Sequence, residues 1–405
     1  MSKWVNYKIC DIFDVVTGTT PSTATDSNWK NGSINWFTPT DLSQLNSAYI
    51  SESQRKITNI AVEKSNLTLM PPRSLLLSTR APVGYVALLK NEATFNQGCK
   101  GLVPRKEYDI NPEFYYYYLI YKRHELEMLS AGSTFKELSK ERLDNYTVPL
   151  PPLPVQRKIA EIIGAADADI EKVDQAIAKT ERLKKGLMQQ LLTKGIGHTQ
   201  FKNTELGKIP KEWEVVRLGE LAVDFISGGT PSTANDNYWG GNIPWTTSAA
   251  ISSKYVTKGM RQITKEGLTK SASNIVPKLN ILLASRVGIG KVAVNTIDIA
   301  ISQDLTGILV NKNKAYFDYV YWFLSYNTNL LKSMAQGSTI KGLLRKEIEK
   351  IYLPLPSINE QTEVSNILNE TLVGFDLLNN KKEYYVNIKQ SLMSDLLTGK
   401  RSVKV

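Results

Sequence analysis

Two copies of one long heptad pattern constrain the fold of this chain more than any other feature of its sequence. From Ile159 to Ile177, apolar side chains recur in steps of four and three residues, and the same spacing continues through Thr180 and Lys184 to Leu187 and Leu191, which is the spacing of a coiled-coil seam. Pro152 and Pro154 precede this stretch and Gly195 follows it, and these residues limit how far a helix can extend. The stretch predicts one helix of about 38 residues and roughly 57 Å, which needs a partner helix to bury its seam.

The same pattern returns 205 residues later, over residues 355–399. The phase is kept, Gln156 corresponds to Gln361, and the Leu-Met-x-x-Leu-Leu-Thr motif at 187–193 has a copy at 392–398. Two unrelated helices, each packed on its own domain, would not be expected to share phase and end motifs, so we predict that these two pack on each other. The predicted seam residues are Ile159, Ile163, Ile170, Val173, Ile177, Leu187, Leu191, Val364, Leu368, Phe375, Leu378, Tyr385, Leu392 and Leu396.

Most of the remaining sequence is duplicated as well. Gly-Thr-Thr-Pro-Ser-Thr-Ala at 18–24 returns as Gly-Gly-Thr-Pro-Ser-Thr-Ala at 228–234, and Leu-Leu-Leu-Ser-Thr-Arg at 75–80 returns as Ile-Leu-Leu-Ala-Ser-Arg at 281–286. Each half is therefore a domain followed by one long helix. The predicted boundaries are 1–150 and 197–355 for the two domains, and 151–196 and 356–405 for the two helices.

Local patterns predict several elements inside each half. Residues 74–80 and 83–89 have the pattern of two strands around a turn. Asn111 and Pro112 form a good N-cap and first-turn pair for a helix that reaches residue 129 or so. The tyrosine run at 115–118 lies on that helix and is expected in the core, as is its counterpart at 320–323. Residues 193–215 have the composition of a linker.

Composition describes an ordinary globular protein with a basic balance. The formal charge is +11 and the pI is near 9.3, which favours a polyanionic partner without requiring one. Cys10 and Cys99 form no metal-binding or disulfide pattern, as expected in a reducing compartment. The N-terminus has no apolar signal core and no apolar run is long enough to cross a bilayer. These features predict a cytoplasmic protein that has no membrane partner.

No motif for catalysis is found. His124 and His198 have no counterparts in the other half, and we expect both to be surface residues. There is no phosphate-binding Gly-x-x-x-x-Gly-Lys motif and no Cys or His cluster. Residues 111–114, Asn-Pro-Glu-Phe, resemble the motif with which amino-methyltransferases hold adenine, but they lack its second proline, and a helix start explains them. We predict no catalytic residues and no metal ligands.

Both halves keep side chains that suit contact with DNA. Arg and Gln can pair bidentately with guanine and adenine edges in the major groove, whereas Ser, Thr, Lys and loop amides can hold phosphates. An ordinary polar surface would explain each of these residues singly, but retention in both halves favours a shared role. The candidates are Thr20, Ser22, Trp36, Thr38, Arg80, Asn96, Gln97, Lys100, Ser133, Thr134 and Lys136 in the first half, and Thr230, Ser232, Trp245, Thr247, Arg286, Ser302, Gln303, Ser338, Thr339 and Lys341 in the second.

Several longer motifs closely resemble those of type I restriction-modification specificity subunits. They are Leu-Pro-Pro-Leu-Pro-Val-Gln-Arg-Lys-Ile-Ala at 150–160 with its copy at 353–364, the helix-end motifs at 187–195 and 392–400, and Thr-Glu-Leu-Gly-Lys-Ile-Pro-Lys-Glu-Trp-Glu-Val at 204–215. The resemblance spans nearly the whole chain. It is more specific in the junction and helix-end motifs than in the two domains.

The resemblance implies an α+β fold with two tandem, pseudo-two-fold related α/β target recognition domains, separated by two long antiparallel coiled-coil helices. Each domain would read one half of a split double-stranded DNA site in the major groove, and sequence differences between the domains predict an asymmetric site. The helices would set the spacer and recruit two methyltransferase subunits and, through them, restriction subunits. The chain itself would bind no cofactor: S-adenosylmethionine would bind the methyltransferase, and ATP and Mg the restriction subunit.

Two other functions remain open at this stage. A self-contained methyltransferase or nuclease would methylate or cleave DNA without a partner. A duplicated coiled-coil adaptor would join proteins and would not show the salt-sensitive DNA binding expected of a protein that contacts phosphates.

Overall fold

The computed structural model describes residues 4–45, 47–130, 137–335 and 342–404. The chain divides into two compact units, one of Met1–Asp174 with Asn380–Val405 (unit 1) and one of Gln175–Asn379 (unit 2). Each unit therefore contains one duplicated domain together with part of both long helices. Six of the residues predicted to contact DNA lie outside the described residues: Ser133, Thr134, Lys136, Ser338, Thr339 and Lys341.

The domain of unit 1 is built from short strands and short helices. Its strands are β1 (Val5–Lys8), β2 (Phe13–Thr17), β3 (Ile34–Phe37), β4 (Tyr49–Ile50), β5 (Lys56–Ile57), β6 (Leu75–Ser78), β7 (Val86–Leu89), β8 (Thr94–Phe95), β9 (Cys99–Pro104) and β10 (Thr147–Leu150). Its helices are α1 (Ile9–Ile12), α2 (Pro39–Ser43), α3 (Asn59–Lys64), α4 (Pro112–Tyr121), α5 (Arg123–Leu129) and α6 (Lys140–Asp144).

After β10 the chain enters the first long helix, α7 (Leu153–Lys194), and then the second domain. The strands there are β11 (Phe201–Thr204), β12 (Gly207–Pro210), β13 (Glu214–Arg217), β14 (Ala222–Ser227), β15 (Trp239–Thr246), β16 (Tyr255–Val256), β17 (Arg261–Ile263), β18 (Asn274–Val276), β19 (Ile281–Ala284), β20 (Val292–Asn295), β21 (Ile299–Ile301), β22 (Leu305–Val310) and β23 (Tyr352–Leu355). The helices are α8 (Leu218–Leu221), α9 (Lys265–Thr269), α10 (Phe317–Tyr326), α11 (Thr328–Ser333), α12 (Arg345–Glu349) and the second long helix α13 (Ile358–Leu396).

The two domains share one sheet arrangement. Unit 1 has a five-stranded sheet in the order β2-β9-β6-β7-β4 and a three-stranded sheet β5-β3-β8, and unit 2 has β14-β22-β19-β20-β16 and β17-β15-β21-β18. In each unit a further two-stranded pair, β1-β10 or β13-β23, joins the start of the domain to the strand that precedes a long helix. The predicted strand pair at 74–89 is confirmed as β6 and β7.

The strand side chains alternate between two cores. Leu75 and Leu77 of β6 pack with the helices, whereas Leu76 between them packs with Phe37 and Phe95 of the smaller sheet. The strands of unit 2 follow the same rule, because successive side chains of a strand point to opposite faces. Both faces of the central sheet are covered, which explains why these strands are uniformly apolar.

The helix predicted after Asn111 is confirmed, with one interruption. The Asn111 side chain accepts a hydrogen bond from the Phe114 amide at 2.8 Å, and α4 runs to Tyr121 before the chain turns at Lys122 and continues as α5. The tyrosines at 115–118 and their counterparts at 320–323 are all buried, so the prediction that they are core residues is confirmed.

The long helices run antiparallel where they meet in unit 1. Lys389 Nζ lies 2.5 Å from Asp167 Oδ1, and Lys382 Nζ lies 2.6 Å from Asp174 Oδ1. A step of seven residues forward on α7 is thus matched by a step of seven residues backward on α13. Every predicted seam residue is buried or half-buried.

The junction at 193–215 is not a simple linker, and that prediction is wrong. It contains the hairpin β11-β12, and Trp213 is 1% exposed. The Glu360 carboxylate of α13 accepts hydrogen bonds from Trp213 Nε1 at 3.0 Å and from the Ile196 amide at 3.0 Å, and it lies 2.9 Å from His198 Nε2. The expectation that His198 is a solvated surface residue is wrong too, because this carboxylate holds its ring.

Gly195 ends α7 as predicted, with φ at +64°. A side chain there would collide with Trp213 and Glu360. Among the residues that the structure describes, no helix combines the length and the apolar character needed to cross a membrane.

Candidate nucleic-acid interface

One polar loop in each unit is held against the smaller sheet by its own backbone. In unit 1 the Thr19 amide donates to the Phe95 carbonyl at 3.0 Å, and in unit 2 the Gly229 amide donates to the Ile301 carbonyl at 2.9 Å. The residue before each amide is a glycine, and a Cβ on Gly18 would collide with the chain at Phe95 and the residue after it. The Gly-x-Thr-Pro-Ser-Thr-Ala motif is therefore a loop that must approach a strand end closely.

The loop carries a threonine that orients the glutamine predicted to contact DNA. Thr20 Oγ1 donates to Gln97 Oε1, and Thr230 Oγ1 donates to Gln303 Oε1 at 2.6 Å. Both glutamines are exposed. An amide oxygen has a second lone pair and the amide nitrogen has two donors, so each glutamine remains able to bind the edge of a base.

Two tryptophans support the loop in each unit. Trp36 Nε1 donates to the Thr19 carbonyl at 3.0 Å and Trp29 Nε1 donates to the Ser22 carbonyl at 3.0 Å, while the two rings meet edge to face with centroids 5.1 Å apart. In unit 2, Trp245 Nε1 donates to the Gly229 carbonyl at 3.1 Å and Trp239 Nε1 to the Ser232 carbonyl at 3.0 Å. Their ring centroids are 5.3 Å apart.

Burial requires a correction for four of the predicted DNA-contacting residues. Trp36 and Trp245 are 3% and 5% exposed, Lys100 is 4% exposed, and Ser302 is 1% exposed. The tryptophans hold the loop from beneath, and Ser302 Oγ accepts a hydrogen bond from the Asp304 amide at 3.2 Å. Burial lowers the pKa of the Lys100 ammonium, with the Glu137 carboxylate acting in the opposite direction. These four side chains are not accessible to a DNA ligand.

The other described candidates lie at the surface or close to it. Ser22, Thr230, Ser232 and Arg286 are exposed, and Thr20 is half-buried. Arg80 is exposed as well, but its Nε lies 3.1 Å from Glu137 Oε2, so any DNA contact by Arg80 would compete with an ion pair.

The flanking residues differ between the two units. Thr38 immediately precedes the short helix α2, and its Oγ1 donates to Asp41 Oδ2 at 2.6 Å. In unit 2 the Thr247 Oγ1 atom lies 3.3 Å from the Met260 sulfur instead. Asn96 Oδ1 accepts a hydrogen bond from the Gly98 amide at 2.9 Å, and the corresponding position in unit 2 is the buried Ser302. The supporting framework is thus common to both units, and the side chains around it are not.

Two arginines that the sequence patterns did not single out lie over tryptophan rings. The Arg55 Cζ atom lies 3.8 Å from the centroid of the Trp29 ring, and the Arg261 Cζ atom lies 3.5 Å from that of Trp239. A signal was present, because Arg-Lys-Ile-Thr at 55–58 returns as Arg-Gln-Ile-Thr at 261–264. It is short and lies between better matched segments.

The described part of the chain offers no metal site: no group of three or more His, Cys, Asp or Glu side chains there is arranged to hold an ion.

Comparison with known proteins places this duplicated architecture in a family. The family model of the type I restriction modification DNA specificity domain matches twice, at residues 1–181 and 210–384. The chain belongs to this family. The two matches correspond to the duplicated halves that the repeats predicted.

Relatives and solved structures of the type I specificity family agree. The chain is 30% identical to the type I restriction enzyme MjaIX specificity subunit of Methanocaldococcus jannaschii, over 99% of this chain and 94% of that protein. It is also 30% identical to the putative MjaX specificity subunit of the same organism, over 71% of this chain and 68% of that protein. The crystal structure of a type I S subunit from M. genitalium matches with a TM-score of 0.60 at 15% identity, covering 97% of this chain and 96% of that one. At such low identity the likeness concerns the fold.

Proposed function

We propose that each unit of this specificity subunit reads one half of a bipartite, asymmetric DNA site. The observation that carries the proposal is that both units present the same Thr-oriented glutamine on the same tryptophan-supported loop, but surround it with different side chains. A common framework suits a common task, and different flanking residues suit different base sequences. The subunit acts on DNA in the cytoplasm and has no catalytic activity of its own.

The two long helices are proposed to hold the two reading domains apart and so to set the spacer between the half-sites. Two DNA-binding domains joined by rigid helices bind half-sites whose separation is set by the length of those helices.

The helices are also proposed to recruit two methyltransferase subunits, which in turn bring restriction subunits. Leu183 on α7 and Val373 and Leu377 on α13 are large apolar side chains that are more than half exposed, at 57%, 58% and 63%. Val373 and Phe375 also line an open cavity of about 620 Å³ in unit 2. An exposed apolar side chain at the rim of a cavity, as at Val373, suits a protein partner.

Cofactor chemistry in this proposal belongs to the partners. S-adenosylmethionine would bind the methyltransferase subunits, and ATP and Mg the restriction subunits. The chain has a net charge of +11, which suits a DNA-binding subunit.

The test is modification-sensitive sequencing of host DNA with the gene for this chain intact and with it deleted. We expect adenine methylation at one split, asymmetric motif to disappear on deletion. Unchanged methylation, together with failure of the chain to capture a methyltransferase, would contradict the proposal. Methylation of DNA by the pure chain with S-adenosylmethionine would indicate a self-contained enzyme instead.

A further inference from the structure

Two exposed guanidinium groups stand at equivalent places in the two units, each lying over a tryptophan ring. Arg55 lies over Trp29 and Arg261 over Trp239, at 3.8 and 3.5 Å from Cζ to the ring centroid. Both arginines are exposed. Contact with an aromatic face leaves the N–H groups at the edge of the guanidinium free to donate.

Neither guanidinium has an ion-pair or hydrogen-bond partner among the described residues. Other arginines over aromatic rings differ in this respect. Arg123 lies 3.8 Å from the Tyr85 centroid, but its Nε is bound to Glu127 Oε1 at 2.8 Å. Arg55 and Arg261 therefore combine a positioned charge with unused donors, which is the arrangement expected of a side chain that binds an external anion.

The ring beneath each arginine is itself fixed. Trp29 donates to the Ser22 carbonyl and packs edge to face on buried Trp36, and the Trp36 amide donates to Ser53 Oγ at 3.0 Å. In unit 2, Trp239 donates to the Ser232 carbonyl and packs edge to face on Trp245, which is the strand partner of Arg261 between β15 and β17. A guanidinium held on such a platform loses less conformational entropy on binding than a mobile one.

The two arginine–tryptophan pairs are the same, although the residues around them differ between the units. The arginine–tryptophan contact is present in both units, while the neighbouring side chains proposed to read bases differ. A residue retained in this way is suited to bind a part of DNA that does not depend on base sequence. The repeating phosphate of the backbone is that part, and arginine binds it through charge-assisted hydrogen bonds.

We propose that Arg55 and Arg261 each bind a backbone phosphate of the DNA, one per recognition domain, and so position each domain without reading sequence. This assignment rests on the proposed function, because it requires that both units contact DNA. It adds two positioning residues to the polar loops.

The experiment measures DNA affinity against salt concentration, using the full chain assembled with its methyltransferase partner. The variants are Arg55→Ala, Arg261→Ala and the double variant, each tested on a duplex with the methylated motif and on an unrelated duplex. Each lost phosphate contact makes the negative slope of log affinity against log salt shallower by about 0.9. At 0.1 M salt this corresponds to a roughly eight-fold weaker affinity for DNA. We expect that loss for each single variant on both duplexes, and the product of the two losses for the double variant.

Lys64→Ala and Lys270→Ala are the matched controls. Both lysines are exposed and occupy equivalent places at the ends of α3 and α9. Each control substitution removes one positive charge, as the arginine substitutions do. We expect a much smaller change from either. Circular dichroism and thermal melting of every variant confirm that it is folded.

The possible results separate this assignment from the function on which it rests. Unchanged affinity and slope in folded variants, beside a parent complex with steep salt dependence, would show that the arginines only cover the tryptophans. A loss confined to the motif duplex, with methylation relaxed at one base, would assign a base contact and overturn the phosphate contact. If the parent complex itself shows no salt-dependent DNA binding, the proposed function fails, and this inference fails with it.

Discussion

At the residue scale, a buried ion pair in unit 2 connects the sheet to two helices. Lys254 Nζ lies 2.7 Å from Asp318 Oδ1 and donates a hydrogen bond to Asn369 Oδ1. The rings of Tyr321 and Trp322 lie 5.1 and 5.2 Å from the same nitrogen. Burial lowers the pKa of this ammonium, and Asp318 acts in the opposite direction. The cluster joins the sheet to α10 and α13.

Replacing Lys254 with alanine should destabilise the protein strongly. The change leaves the Asp318 carboxylate buried without its cation, and removing one partner of a buried pair costs about 3–5 kcal/mol of unfolding free energy. Urea denaturation measures the change. Lys258→Ala is the control, because Lys258 is exposed and four residues away. A loss below about 1 kcal/mol for Lys254→Ala would mean that water or a neighbouring group replaces the ammonium.

At the element scale, the two long helices are stabilised chiefly by apolar contacts, with ion pairs contributing less. Ile163 is fully buried in unit 1, together with Ile159 and Leu396. The ion pair of Asp174 with Lys382 is 45% and 42% exposed, and pairs this exposed contribute little because water screens them. The ion pairs are better suited to setting the antiparallel register than to holding the helices together.

This difference predicts a clear order of stabilities. Ile163→Ala should cost about 2–5 kcal/mol through lost burial and a residual cavity, whereas Asp174→Ala should cost less than about 1 kcal/mol. Thermal or urea denaturation of both variants tests the order, and added salt should narrow the difference between Asp174→Ala and the parent. Equal losses would contradict it and would assign the ion pair a larger share.

The helix length leads to a second prediction at this scale. Adding one heptad to α7 and one to α13 lengthens the support by about 10 Å, which corresponds to roughly three base pairs of spacer at 3.4 Å per base pair. Sequencing the methylated motif should show a longer spacer and unchanged half-sites. Half-sites of altered sequence would show that the helices do more than separate the domains.

At the scale of the whole molecule, both units bury tyrosines around the strand-to-helix core. Burial raises the pKa of Tyr118 in unit 1 to about 12 and raises the pKa of Tyr319 in unit 2 well above its usual value. An unfolded tyrosine ionises near pH 10. The folded state therefore keeps these protons while the unfolded state loses them, so stability is intact below about pH 10 and falls as the pH rises from there towards 12.

An alkaline titration should consequently show two steps in tyrosinate absorbance. Exposed tyrosines should ionise first, and the buried set should follow together as the protein unfolds between about pH 10 and 12. Circular dichroism recorded in parallel should change only with the second step. A single gradual step with no loss of secondary structure would contradict the burial of these rings.

The duplication, the two long helices, the central strand pairs, the N-capped helix after Asn111 and the family could all be predicted from the amino-acid sequence. These features depend on periodicity and on local motifs, which a linear sequence contains in full. Trp36, which lies beneath the loop, and the exposed Arg55, which lies over the half-buried Trp29 ring, could not be told apart from the sequence, because accessibility depends on what packs above each side chain.

Contacts between residues that lie far apart in the chain became evident only in the three-dimensional structure. The ion pair and hydrogen bonds of Lys254 come from two helices that follow much later, and Glu360 holds Trp213 and His198 from far along the sequence. The junction at 193–215 has the composition of a linker, but it is ordered by that carboxylate. Such contacts follow from how sheets and helices pack in three dimensions, and a single polar contact between distant residues leaves no periodic trace in the sequence.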